Sequence, residues 1–62
     1  MIQNLTAKVN AAGSAVEVSD LAVEAYQEGL TERQAEAVEA RSENYSGIFI
    51  DSWRDAEAWA DA

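Results

Sequence analysis

Sixty-two residues carry twelve acidic and four basic side chains, a formal charge of −8, and no Cys, His or Pro. That excludes disulfides, thiolate or imidazole metal sites and imidazole acid–base catalysis, and it favours uninterrupted helix. So acidic a surface repels nucleic acid and anionic membranes and attracts basic partners. No apolar run approaches the ~20 residues that span a membrane. Met1-Ile2-Gln3-Asn4 lacks the charged and apolar segments of an export signal, so a cytoplasmic location is expected. Residues 1–62 fit one small acidic domain, near the size at which a chain buries only about 60% of its unfolded surface.

Residues 2–12 read two ways. Leu5, Ala7 and Val9 alternate with Thr6 and Lys8 as in a strand, yet Leu5, Val9 and Ala12 also fall at helical spacing. Asn4 is placed as an N-cap and Gly13 as a C-terminal glycine. The expectation is a short helix, with a β-hairpin over residues 5–18 as the alternative. Ser14-Ala15-Val16-Glu17 then forms a capping box, in which side chain and backbone satisfy each other's free amides. It opens a helix over 15–28 that ends at Gly29. Val18, Leu21, Ala22, Ala25 and Tyr26 share its apolar face, and Val16 and Val23 lie off it.

Thr31-Glu32-Arg33-Gln34 is a second capping box, with Leu30 placed to staple onto Ala35. The helix it opens, about 32–43, is expected to bury Ala35, Val38 and Ser42. A connection as short as 29–31 predicts that this helix and the one before it are antiparallel neighbours. Asn44 to Gly47 read as a turn and Ile48-Phe49-Ile50 as an extended apolar plug. Ser52-Trp53-Arg54-Asp55 reads as a third capping box, opening a last helix with Trp53, Ala56, Trp59 and Ala60 on one face. The fold class is therefore mainly α, a bundle of about four short helices around an aromatic plug.

Nothing in this inventory suggests an enzyme. Ser and Thr have no His to activate them, and paired carboxylates need a substrate cleft that four short helices can hardly build. Asp51-Ser52-Trp53-Arg54-Asp55 lacks the Gly and terminal Glu of a calcium loop. Neither a metal nor a cofactor is called for. The acids themselves are patterned. Glu17, Asp20, Glu24 and Glu28 fall in one row along the second helix, and Glu32, Glu36, Glu39 and Glu43 in one row along the third. Like charges at i,i+4 destabilise a helix by roughly 0.2–0.5 kcal/mol per pair, and a sequence selected for solubility alone would interleave Lys. Each row spans about 16 Å at a rise of 1.5 Å per residue. That is one charge per roughly 5 Å, against one per 3.4 Å along a DNA strand. A solvated helix face is the plain reading. A phosphate-like display aimed at a basic groove is the functional one, with Asp51, Asp55 and Glu57 of the last helix as further contacts.

From Ala25 to Ala60 the chain resembles the C-terminal helical part of ArdA-type antirestriction proteins, a family of DNA mimics. The residues that carry the likeness are Tyr45-Ser46-Gly47, Phe49, Asp51-Ser52-Trp53, Asp55 and Trp59. The resemblance implies a helical domain that binds a basic DNA-binding groove of a host defence protein in the bacterial cytoplasm, with no direct contact to nucleic acid or membrane. A small stand-alone acidic chain is also similar to phage anti-CRISPR proteins. The expected function is thus inhibition of a CRISPR effector by DNA mimicry. A type I restriction enzyme is the alternative target, and a non-mimic acidic protein–protein module the alternative class.

Overall fold

In the computed structural model, which describes residues 2–61, four α-helices follow one another. They are α1 (Ile2–Ala11), α2 (Ala15–Gln27), α3 (Glu32–Ala40) and α4 (Ile48–Asp61). No strand occurs among the described residues, so the fold is mainly α and residues 5–18 form no hairpin. Asn4 lies inside α1 rather than capping it, and Gly13 is not one of the glycines with positive φ.

Local chemistry sets the ends of α2 and the start of α3. The Glu17 amide donates to Ser14 Oγ at 3.2 Å, while the Glu17 carboxylate accepts from Gly13 N rather than from Ser14. The box is therefore closed one residue early. At the other end, Gly29 N donates to Tyr26 O and Leu30 N to Ala25 O, the paired bonds of a Schellman motif. Gly29 has φ +98°, a left-handed conformation that glycine adopts without a Cβ penalty. Thr31 and Gln34 then make both bonds of a regular capping box, at 3.2 and 3.0 Å.

Two expectations about the C-terminal half are corrected. The third helix stops at Ala40, where the Arg41 guanidinium donates to Ala37 O. Ser42 lies beyond it, only half-buried, with its hydroxyl on Asn44 O. The last helix begins at Ile48, so Ile48-Phe49-Ile50 is its first turn and not an extended plug, and Ser52 is an interior residue rather than a cap. Starting there places Phe49 and Trp53 one turn apart on one face, which buries both. The aromatic grouping also changes. Trp59 is 82% exposed, because it is six residues from Trp53 and each residue turns the helix by about 100°. Steps of three therefore drift, and Trp59 ends about a third of a turn off the core face.

The four helices form a ring. α4 packs on α2 and on α3, α1 packs on α2 and on α3, and the diagonal pairs α2–α3 and α1–α4 barely meet. The helices joined by residues 29–31 are thus held apart by α4 and α1 instead of lying side by side. Val9, Val18, Val38 and Phe49 fill the centre, with Leu30, Trp53 and small alanines around them. The Trp53 indole N–H donates to Leu30 O at 3.2 Å, and its ring meets Tyr26 edge-on at 5.5 Å. This buried polar atom is satisfied, as burial requires.

Candidate acidic interface

The ring decides how the two rows of acids are disposed, which spacing alone leaves open. On α2, Glu24 and Glu28 line a cleft shared with Asn4, Leu5 and Lys8 of α1. On α3, Glu32, Glu36 and Glu39 bond to groups of α4 or of the loop before it. Glu24 and Glu28 therefore lie on the α1 side of the molecule, and Glu32, Glu36 and Glu39 on the α4 side. They diverge.

The α3 row is engaged within the fold. Arg54 Nε sits 3.2 Å from Glu32 Oε2 and Arg54 Nη2 is 3.6 Å from Glu36 Oε2. All three side chains are about half exposed, so these pairs each contribute well under 1 kcal/mol. Glu39 has a different part. Its Oε2 accepts from Gly47 N at 2.9 Å and its Oε1 from Ile50 N at 3.2 Å. Asp51 N bonds Gly47 O, which makes Gly47 the N-cap of α4 and Ile50 its third helical residue. A local capping box would satisfy those same two amides with two side chains. Here one carboxylate from another helix satisfies both, and its charge faces the positive end of the α4 dipole. Glu43 falls in the loop, where its amide donates to Asn10 Oδ1 at 2.8 Å.

The α2 row is less engaged. Glu17 closes the cap of its own helix, while Asp20, Glu24 and Glu28 are exposed and form no ion pair among the described residues. Asp51 and Asp55 are exposed on α4, and Glu57 is half-buried. Among the described residues no three acids converge closely enough to hold a metal ion. Among the described residues no helix is long and apolar enough to cross a membrane.

Two features escaped the sequence reading. The capping role of Glu39 joins residues 8 and 11 positions apart, with no local signature to reveal it. The exposure of Trp59 was legible in principle, from its six-residue offset to Trp53. No family model, curated protein or solved structure matches this chain.

Proposed function

We propose that this chain is a phage or mobile-element inhibitor that mimics DNA charge and blocks the DNA-binding surface of a host defence complex, in first place a CRISPR effector. The observation that carries the reading is the α2 row, in which Asp20, Glu24 and Glu28 stand exposed without a cationic partner among the described ion pairs. From Glu17 to Glu28 the axis advances about 16 Å, over which a DNA strand rises by about five nucleotides. Four carboxylates over that length supply most of the charge of a strand segment. The α3 row adds little, since Arg54 and the α4 amides already engage it. The mimic is single-faced. The likeness of residues 25–60 to ArdA-type proteins favours a type I restriction enzyme as the second target.

The test starts with capture of the partner from a host lysate, identified by mass spectrometry. The purified partner is then competed between this chain and a short DNA duplex at several salt concentrations. Mimicry weakens steeply with salt, because screening removes what attracts the groove. A triple variant, Asp20→Asn with Glu24→Gln and Glu28→Gln, keeps the fold and loses competition. Unchanged competition by that folded triple ends the proposal.

A further inference from the structure

α2 and α4 leave an open groove of about 510 Å³ between them, lined by Ser19, Val23 and Tyr26 on one side and by Asp55, Ala56 and Trp59 on the other. Among the described residues Trp59 is the most exposed of the large apolar side chains, at 82%. A chain with only five aromatics gains much by burying a tryptophan, and this one is left outside the core. Tryptophan is one of the residue types enriched among the side chains that carry most of the binding energy of protein interfaces.

The charge of the groove narrows what it can accept. Asp55 and Trp59 are one turn apart on α4 and so are neighbours on its surface. The residues lining the groove include one carboxylate, Asp55, and no base, and Asp55 has no ion pair among the described residues. We infer that this groove takes an arginine side chain of a basic protein partner. The aliphatic stem lies along Val23 and Ala56, and the guanidinium stacks on Trp59 while pairing with Asp55. Arginine suits this pairing better than lysine, because a planar guanidinium can stack on a ring and bond a carboxylate in two places. A second copy of the chain is disfavoured, since each copy carries −8. The inference shares with the proposed function only the basic partner, for the groove is on the α4 side of α2 whereas Glu24 and Glu28 line its α1 side.

The two indole N–H groups give a direct readout by nitrogen-resolved NMR. That of Trp53 is buried on Leu30 O and exchanges slowly, while that of Trp59 is exposed and exchanges fast. The probe is an alanine-based helical peptide with arginines on one face, and its lysine counterpart. The arginine peptide shifts the Trp59 indole and the Asp55 amide saturably and leaves the Trp53 indole in place. Asp55→Asn and the lysine peptide each weaken binding about tenfold, and Trp59→Ala abolishes the saturable shift of the Asp55 amide while the helical spectrum stays unchanged. Equal binding of the two peptides overturns the inference, as does the absence of any shift. So does movement of the Trp59 signal on changing the protein concentration alone, which would mean self-association. Shifts confined to Asp20, Glu24 and Glu28 overturn it as well and leave the mimicry reading standing. Conversely, a responsive groove together with a competition-neutral α2 triple keeps the groove and removes mimicry.

Discussion

Glu39→Gln is the substitution that best separates acids held by the fold from acids left free. The carboxylate accepts two backbone N–H groups, Gly47 at 2.9 Å and Ile50 at 3.2 Å, in a half-buried position. Glutamine has the same shape but offers one oxygen, so it serves one amide and turns an NH2 toward the other. The second donor is left unsatisfied and the first loses its charged acceptor. Hydrogen bonds to charged groups contribute about 1.5–3 kcal/mol, and loss of an N-cap costs about 0.5–2 kcal/mol. The expected loss is therefore about 1–2 kcal/mol. At 4–8 °C per kcal/mol for a domain of this size, the melting temperature falls by roughly 4–16 °C. Glu36→Gln is the matched control, since it removes one charge from the same row but only an exposed contact of 3.6 Å. Its effect stays below about 1 kcal/mol. Thermal melts followed by circular dichroism measure both, and amide exchange at Gly47 and Ile50 reports the cap itself. Equal shifts for the two variants, or unchanged exchange at those amides, would refute the capping role.

Three further outcomes follow from the same geometry. Trp53→Ala should cost about 3–5 kcal/mol, the whole margin of so small a core, and so abolish the cooperative melt; Trp59→Ala should leave it intact. Gly29→Ala puts a Cβ into open space, with no atom within 4 Å; the expected penalty of about 1–2 kcal/mol, read by denaturant titration, is thus purely that of a left-handed backbone. Glu24→Gln removes two like-charge neighbours at i±4, Asp20 and Glu28, and should raise stability by about 0.4–1 kcal/mol; a lower melting temperature would show instead that Lys8, in the same cleft, holds Glu24.

What was legible in the sequence is what short-range chemistry decides. Ser14, Gly29, Thr31 and Gln34 act within three or four residues of themselves, and the structure uses each of them at a helix end. The apolar face of α2 was legible for the same reason, being a 3.6-residue pattern read over thirteen residues. The start of α4 was not. Ser52-Trp53-Arg54-Asp55 has the letters of a capping box, but a helix that begins at Ile48 buries Phe49 beside Trp53 and gains a cap from Glu39. Tertiary contact outweighed a local motif worth about 1 kcal/mol. The order of the helices around the ring was equally hidden. It depends on α4 packing against both α2 and α3, a choice that no local spacing encodes.

That order bears directly on how an acidic surface of this kind can work. Were α2 and α3 side by side, their rows would give a doubled line of charge resembling the two strands beside a DNA groove. With α4 and α1 between them, the rows point to different sides and a partner groove can engage one at a time. Under the proposed function, the side engaged is the one whose charge is left unmatched. On α3, Arg54 offsets part of the row and Glu39 is occupied by backbone amides. On α2, repulsion between Asp20, Glu24 and Glu28 is unrelieved by any ion pair among the described residues. A cost to stability kept at one place, and offset at a similar place across the molecule, is the pattern that the proposed function would leave. The two rows are therefore expected to act independently. Substitutions in α2 should change partner binding without changing the melt for the worse. Glu39→Gln should lower the melt and leave binding by the remaining folded protein unchanged. Effects on distant rows should add, because sites without shared contacts rarely couple. Strong coupling between Glu24→Gln and Glu36→Gln in partner binding would mean that one groove does reach both sides, and the single-faced picture would then give way to a partner that wraps the bundle.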